Sequence, residues 1–190
     1  LEQGMEERGK VLEVHSRLST LYQMLAGKMT GARMDIETYV QRYYLDRILH
    51  AANRRFREMS AGQYELRMCG EDKAGTGKNR GLDLMVYSAV TGKEREVRTL
   101  SGGESFMAAL SLALGMADQI QETSAAVSLD VMFIDEGFGS LDDHSRAQAV
   151  RVLQEMTDGS RMIGIISHVT ELKQEIEDQL IVTKDEDGSH

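Results

Sequence analysis

The sequence lacks proline, the strongest helix breaker, and has almost no cysteine to cross-link chains. It contains no proline and no tryptophan, a single cysteine, and only 5% aromatic residues. Without proline, nothing in it forces a kink in a long helix. The lone Cys69 rules out an internal disulfide and a zinc site built on paired cysteines. A disulfide-stapled secreted scaffold is therefore excluded.

The sequence also lacks a long apolar run. Its longest uncharged stretch is the thirteen residues between Glu104 and Asp118, which is too short to span a bilayer. No basic-then-apolar leader opens the chain, so we expect a soluble, cytoplasmic protein. With 190 residues, 41% of them hydrophobic, the chain can close one sizeable core. We expect one domain, or one domain with an appendage.

Acidic residues outnumber basic ones by 31 to 22, which gives a net charge of −9. A uniformly acidic surface repels phosphate backbones, but residues 28–67 contain eight basic and five acidic residues, a local charge of +3. Most such runs are solvated helix faces, and the alternative is a surface that contacts DNA or a partner protein. The candidates for that contact are Arg47, Arg54, Arg55 and Arg57.

The first thirty residues carry a heptad pattern. Apolar residues recur at intervals of three and four, at Val11, Val14, Leu18, Leu21 and Leu25. This spacing is typical of a coiled-coil seam. An amphipathic helix packed on its own domain explains two and a half heptads equally well, and the periodicity leaves both interpretations open.

A second helix is predicted over residues 35–59, and its apolar row predicts packing in the core. The row consists of Ile36, Tyr39, Val40, Tyr43, Tyr44, Ile48, Leu49 and Phe56. Two short strands are predicted next, at Tyr64–Met68 and at residues 82–87, separated by a polar loop over residues 70–81. That loop contains Gly-Thr-Gly-Lys-Asn but fails as a phosphate-binding loop, because Asp72 stands where glycine is needed and Asn79 where a hydroxyl is needed.

The second half of the sequence indicates an α/β arrangement. A nearly all-apolar helix is predicted over residues 104–119, followed by a strand at 129–134, a polar helix at 142–156 and a strand at 162–166. Unbroken apolar strands joined by a helix predict a parallel crossover unit that is buried on both faces. A short helix at 171–177 and an edge strand at 180–183 are predicted to finish the sheet.

Polar residues follow both strands of this unit. Asp135 and Glu136 come after the first strand, and Ser167 and His168 after the second. Ligands gather at the carboxyl ends of parallel strands, and neighbouring side chains there point in different directions. One carboxylate could therefore hold Mg²⁺ while the other faces a water. The alternative is that the carboxylates only cap a helix or a turn.

The segment Leu-Ser-Gly-Gly-Glu opens the apolar helix at residues 100–104. Ser101 and Glu104 have the spacing of a capping box, which explains a good helix start and nothing more. The capping box does not require Gly102 and Gly103, which would let a phosphate approach bare amide groups at the positive end of the helix.

Taken in order, these segments resemble the motifs of ABC-type ATPases of the SMC kind. Residues 100–104 resemble the signature motif, residues 131–136 the Walker B strand, residues 139–142 the D-loop, and His168 the switch histidine. The residues at 100–106 and 133–142 are similar to those of the SbcC family, the ATPase subunits of bacterial SbcC–SbcD nucleases. The resemblance covers essentially the whole chain, including a coiled-coil root at residues 39–64.

The resemblance implies an α/β fold, the carboxyl-terminal lobe of an ABC/SMC-type ATPase head, with a mainly parallel sheet flanked by helices. It implies ATP and Mg²⁺ as ligands. Asp135 would hold Mg²⁺ through water, Glu136 would orient and deprotonate the attacking water, and His168 would contact the γ-phosphate. The residues that the resemblance implies bind nucleotide in trans are Ser101, Gly102, Gly103 and Glu104. The D-loop residues that would report across the interface between heads are Ser140, Leu141 and Asp142.

The sequence contains no Walker A pattern, Gly-x-x-x-x-Gly-Lys-Ser/Thr. The resemblance places that loop in a separate amino-terminal lobe. Residues 1–30 would then be the end of a returning coiled-coil helix, and residues 31–190 the carboxyl-terminal ATPase lobe. We expect this chain alone to be inactive in hydrolysis. The implied partners are the amino-terminal lobe, a second head in an ATP-bound homodimer, an SbcD-like nuclease and DNA.

The function implied by the resemblance is ATP hydrolysis at a head–head interface that controls an exonuclease of DNA double-strand-break repair. Two alternatives remain. One is a structural SMC-type tether with the same ATP switch and no nuclease partner. The other is a non-catalytic binding module whose carboxylates are structural.

Overall fold

The helices and strands of the computed structural model follow the predicted order closely. It describes residues 2–26, 35–70, 82–123, 129–157, 161–182, 184–185 and 188–189. The helices are α1 (Glu2–Leu25), α2 (Ile36–Met59), α3 (Gly102–Thr123), α4 (Asp143–Thr157) and the short α5 (Leu172–Glu175). The strands are β1 (Tyr64–Met68), β2 (Leu84–Ser88), β3 (Lys93–Glu96), β4 (Val131–Asp135), β5 (Met162–Ile166), β6 (Lys184–Asp185) and β7 (Gly188–Ser189). Single turns of 3-10 helix occupy Val97–Thr99 and Phe138–Ser140.

Two long helices, α2 and α3, cross at close range. Asp35 caps α2 by accepting a hydrogen bond from the Thr38 amide at 2.7 Å. In α3, a Cβ on Gly115 would come within 2.7 Å of the Ile48 carbonyl oxygen and 2.8 Å of the Ala52 amide nitrogen. Only glycine leaves room for the α2 backbone there, and this close approach lets Phe56 and Leu114 meet in one buried core.

The strands form one antiparallel and one parallel group. β1, β2 and β3 form an antiparallel sheet, with Tyr64 opposite Ser88. β4 and β5 pair in parallel, with Asp135 opposite Ile166, and α4 connects them. The α/β class and the parallel crossover unit are confirmed. The larger sheet in the described residues is antiparallel rather than parallel, because a short turn joins β2 to β3 and leaves no room for a crossover.

One expectation about the parallel unit is wrong: it is not buried on both faces. Ile134 faces the core, whereas Phe133 is 68% exposed. Its ring lies over Gly164, its register partner on β5, where a Cβ would come within 2.5 Å of the ring. The uncovered face carries four large apolar side chains: Val131, Phe133, Met162 and Ile166. Successive side chains alternate between faces, and within the described residues helices cover only the inner face.

Both apolar rows on the first two helices are more exposed than core packing predicts. On α2, Leu49 and Phe56 are buried, but the first half of the row is exposed, so the prediction of core packing is wrong for Ile36, Tyr39, Val40, Tyr43 and Tyr44. All five seam residues of α1 are also exposed. The interpretation in which α1 packs on its own domain therefore has no support in the described residues, and the coiled coil stays a prediction.

The carboxyl-terminal segment differs from its prediction. Residues 180–182 form no strand, and Leu180 is 92% exposed. The predicted edge strand is therefore wrong over these residues, because no described strand lies beside them to form backbone hydrogen bonds. The glycine-containing loop lies largely outside the described residues, which stop at Gly70 and resume at residue 82. None of the helices described is long and apolar enough to cross a membrane.

Candidate functional site

The carboxyl ends of β4 and β5 bring Glu136 and His168 together, as the strand order predicts. The Glu136 amide donates to the Ile166 carbonyl oxygen at 2.9 Å, which extends the parallel ladder by one bond. The Nδ1 atom of His168 lies 2.9 Å from Oε2 of Glu136 and 3.1 Å from Oε1. Both side chains are exposed. A carboxylate and an imidazole in contact at an open edge can exchange a proton with a bound water.

The backbone that presents Glu136 is strained. Glu136 has φ +59° and Gly137 has φ +96°. A left-handed conformation costs a non-glycine residue about 1–3 kcal/mol, and such strain collects at functional sites. The Phe106 ring of α3 covers Gly137 so closely that a Cβ there would lie 2.1 Å from a ring carbon. The turn is therefore fixed by α3, the helix that begins at the glycine pair.

Asp135 ends β4 with an exposed side chain. The described ranges contain no group of three or more His, Cys, Asp or Glu side chains that could hold a metal ion. A single carboxylate such as that of Asp135 still fits Mg²⁺ bound to a nucleotide, because Mg²⁺ keeps several waters and takes one or two carboxylates together with phosphate oxygens. Asp135 offers an exposed carboxylate of this kind at the end of β4.

The predicted capping box at the start of α3 is present. The Ser101 amide donates to Oε2 of Glu104 at 2.8 Å, and the Glu104 amide donates to Oγ of Ser101 at 3.3 Å. Glu104 has two further partners that the sequence did not reveal: Arg95, with Nη2 at 3.1 Å, and the Tyr64 hydroxyl. Burial alone would raise the pKa of the Glu104 carboxyl, but hydrogen bonds from Tyr64, Ser101 and Arg95 lower it overall.

The glycine pair contacts the D-loop segment, residues 139–142. A Cβ on Gly103 would lie 2.8 Å from the Ser140 carbonyl oxygen and 3.4 Å from Cδ2 of Leu141, whereas a Cβ on Gly102 would meet Ser140 only at 3.6 Å. Gly103 is thus required by packing inside this chain, a reason independent of phosphate approach. A groove of about 260 Å³ borders this contact and is lined by Ser101, Gly103, Glu104 and Asp142 among others.

Asp142 also has a structural role within the chain. Its carboxylate caps α4, accepting from the Ser145 amide and the Ser145 hydroxyl, both at 2.9 Å. The Ser145 amide is the main cause of a lowered pKa at Asp142. Ser140 donates its hydroxyl to the Gly137 carbonyl at 2.7 Å, and Leu141 is buried. Asp142 is therefore a helix cap, which was not predicted from the sequence. The capping alternative concerned Asp135 and Glu136, and the 3-10 turn that follows them has no side-chain cap.

The candidate basic surface is largely neutralised by ion pairs. Arg47 lies 3.5 Å from Glu122, and Arg57 lies 2.8 Å from Glu65. Arg54 is exposed and lies 4.0 Å from Asp118.

Arg55 is wrong as a surface contact, because it is buried against Asp118 at 2.7 Å. Asp118 also pairs with Arg161 at 3.0 Å, which precedes β5. This ion network therefore joins α2, α3 and β5. Its members are far apart in sequence, which is why helical periodicity placed Arg55 on the surface.

Parts of the sequence match a known protein family and curated proteins. A family model described as SbcC/RAD50-like, Walker B motif, matches residues 81–155. The SbcC chain of the SbcCD nuclease of Vibrio cholerae is 46% identical over 170 residues, covering 90% of this chain, and that of Treponema pallidum is 42% identical over 190 residues, covering all of it. The chain spans 17% of the length of each of these relatives.

Solved structures of similar fold are SMC heads. A chain from a study of ATP-driven dimerisation and DNA-stimulated activation of SMC ATPases superposes with a TM-score of 0.61 at 15% identity, covering 80% of this chain and 86% of that one. An Smc head domain from Pyrococcus yayanosii gives a TM-score of 0.56 at 20% identity, covering 76% of this chain and 26% of that one. At such identities the likeness shows the fold alone.

Proposed function

We propose, from the match to the SbcC/RAD50-like family model over residues 81–155 and from the identity to SbcC chains, that this chain is the carboxyl-terminal lobe of an SMC-type ATPase head. The head binds and hydrolyses ATP at an interface between two heads and thereby controls an exonuclease of DNA double-strand-break repair. The observation that carries the proposal is the pairing of Glu136 with His168 at 2.9 Å beside Asp135, at the carboxyl ends of two parallel strands.

The site residues divide the work of phosphoryl transfer. Glu136 orients the attacking water and accepts its proton, and the His168 ring, held through Nδ1, leaves Nε2 free to face the γ-phosphate. Asp135 would hold Mg²⁺ through a water, and the ion would neutralise charge on the phosphates. The strained turn at Glu136 supports this assignment, since backbone strain of this kind collects at functional sites.

The signature segment acts on a nucleotide bound by another head. Ser101 supplies a hydroxyl, and Gly102 and Gly103 supply amides at the positive end of the 22-residue helix α3, while Glu104 closes the capping box that holds them. Asp142 and the rest of the D-loop lie beside this segment through the contact of Gly103 with Ser140. In this arrangement a change in the signature segment reaches the D-loop directly, which suits a site shared between two heads.

The uncovered face of β4 and β5 supports the proposal that an amino-terminal lobe with the Walker A loop completes the head. Phe133 and Met162 are 68% and 59% exposed. A parallel pair is ordinarily covered on both faces, and burial of each large apolar side chain is worth about 1.5–3 kcal/mol. A separate lobe is the simplest covering for this face.

Residues 1–30 form the end of the returning coiled-coil helix in this proposal, and the exposed seam of α1 is the surface that pairs with the outgoing helix. DNA and an SbcD-like nuclease are the remaining partners. The tether alternative lacks a nuclease, and it is not favoured because the curated relatives are named as parts of a nuclease. Co-purification of a nuclease with the full-length protein separates the two functions.

The variant Glu136→Gln in the full-length protein tests the proposed chemistry. Removing the general base should lower ATP turnover about 10²–10⁴-fold and trap the ATP-bound dimer of heads. Glu155→Gln is a suitable control, since Glu155 is an exposed carboxylate near the end of α4 and its partner Arg151 is exposed as well. Unchanged turnover in Glu136→Gln would contradict the role of Glu136.

A further inference from the structure

The glutamate of the signature segment has more partners than a helix cap requires. Oε2 of Glu104 accepts the Ser101 amide at 2.8 Å, which closes the capping box. The same oxygen lies 3.1 Å from Nη2 of Arg95 on β3, and Tyr64 at the start of β1 adjoins the carboxylate as a donor that lowers its pKa. Two of these donors belong to the antiparallel sheet, so the start of α3 is tied to that sheet as well as to its own first turn.

Arg95 holds the signature segment at both of its ends. Its Nη1 donates to the Thr99 carbonyl oxygen at 3.0 Å, while Nη2 reaches Glu104. Ser101 and the glycine pair lie between these two anchor points. A guanidinium is a rigid planar fork that can serve two acceptors at once, whereas a lysine ammonium is a single point charge. One side chain therefore fixes the whole span of residues 99–104.

Tyr64 supports the same arrangement from a second strand. The guanidinium carbon of Arg95 lies 5.4 Å from the centre of the Tyr64 ring, within range of a cation–π contact. The Tyr64 hydroxyl meanwhile donates to Glu104, which raises the pKa of Tyr64. Arg95, Tyr64 and Glu104 thus contact one another mutually, and the Glu104 side chain is only 19% exposed.

We propose that Arg95 and Tyr64 are positioning residues of the signature segment. Acting through Glu104, they hold the Ser101 hydroxyl and the amides that follow it at the place where the triphosphate of a second head binds. This inference rests on the proposed function, in which the segment binds nucleotide in trans. In that function the segment binds the nucleotide of the second head, so Arg95 and Tyr64 set the strength of ATP-dependent head association and leave the ATP affinity of a single head unchanged.

The same sheet offers matched control residues. Arg67 on β1 lies 3.8 Å above the ring of Tyr87 on β2, and it pairs with Glu65 and Glu94 instead of Glu104. Arg67→Met and Tyr87→Phe therefore remove an arginine and a tyrosine hydroxyl from an equivalent pair that does not reach the signature segment.

The test uses the full-length protein with Glu136→Gln as the parent, so that ATP is not consumed. Dimerisation of heads in MgATP is measured by sedimentation, and binding of labelled ATP is measured at protein concentrations too low for dimerisation. We expect Arg95→Met to raise the dissociation constant of dimerisation about tenfold. Arg95→Lys and Tyr64→Phe should have smaller effects, because each leaves part of the network in place. ATP affinity and unfolding temperature should match those of the two control variants.

Unchanged dimerisation in both Arg95→Met and Tyr64→Phe would overturn the inference. Equal weakening by Arg67→Met, or weakening that follows a loss of ATP affinity, would overturn it as well. If Arg95→Met fails to fold, Arg95→Lys and Tyr64→Phe decide the question in the same way. Failure of the parent protein itself to dimerise in MgATP would refute the proposed function, which distinguishes that failure from a failure of the positioning role alone.

Discussion

The two neighbouring glycines of the signature segment should respond differently to alanine. In Gly103→Ala the new Cβ would lie 2.8 Å from the Ser140 carbonyl oxygen, and in Gly102→Ala it would lie 3.6 Å from Cβ of Ser140, an ordinary contact. The Ser140 backbone cannot withdraw easily, because Leu141 is buried and the Ser140 hydroxyl is bonded to Gly137. Overpacking of this kind costs about 1–3 kcal/mol.

The opposing effect is helix propensity, which favours alanine over glycine by up to about 1 kcal/mol. Gly102→Ala should therefore be neutral or slightly stabilising, and Gly103→Ala should be clearly destabilising. For a chain of this size, 1 kcal/mol corresponds to about 2–4 °C in Tm. Thermal unfolding of the two variants should differ by about 5 °C, with Gly103→Ala the lower. Equal Tm values, or the reverse order, would refute the packing argument and leave phosphate approach as the only reason for Gly103.

Three further perturbations follow from the described contacts. Asp118→Asn should lower the free energy of unfolding by about 3–5 kcal/mol, since it leaves two largely buried arginines without a counter-charge. The control Glu122→Gln, at an exposed ion pair, should lower it by at most about 1 kcal/mol. Equal losses for the two variants in urea unfolding would contradict the buried network. Phe133→Ser should leave the stability of the chain nearly unchanged but weaken binding of the amino-terminal lobe about tenfold or more; unaltered binding in a titration would mean that this face is covered by something else. The capping bonds lower the pKa of Asp142, so its contribution to stability is present above the ordinary carboxyl pKa and is lost as pH falls through the folded-state pKa. Asp142→Asn should therefore lose less stability than the parent protein between about pH 5 and pH 3. Parallel pH profiles of the two proteins would show that the cap is not coupled to folding.

Short-range patterns predicted the local geometry of the candidate site well. The Ser101–Glu104 capping box spans a single helical turn, and the carboxylates after β4 follow directly from an apolar strand, so local sequence is sufficient for both. The approach of His168 to Glu136 needed one further step, the rule that parallel strands end at the same edge. The contacts confirm that geometry.

Polar contacts between residues far apart in the chain could not be predicted from the sequence. Arg95 and Tyr64 reach Glu104 from two different strands, and nothing in their local pattern distinguishes them from surface residues of a sheet. Arg55 occupied a position off the apolar stripe, yet its partner Asp118 lies on the helix that covers it. Pairing of this kind depends on which helix faces cross, and that is decided by the close contact at Gly115.

Apolar rows in the sequence indicate that a face is to be covered, but they do not indicate which chain covers it. Tyr39 and Phe133 are typical of core positions by residue type, yet both are exposed. The periodic pattern is the same whether the covering comes from this chain or from another. The uncovered rows are therefore the surfaces where the proposed partners would pack.

The central claim is that this chain supplies one half of an ATPase site. The most direct test is MgATP hydrolysis by this chain alone and then mixed with a separately expressed amino-terminal lobe, in the presence of DNA and the partner nuclease, with Glu136→Gln as the control. The account predicts activity only in the mixture and its loss in the Glu136→Gln mixture. No activity in a mixture that demonstrably forms a complex, or equal activity with and without Glu136, would contradict it.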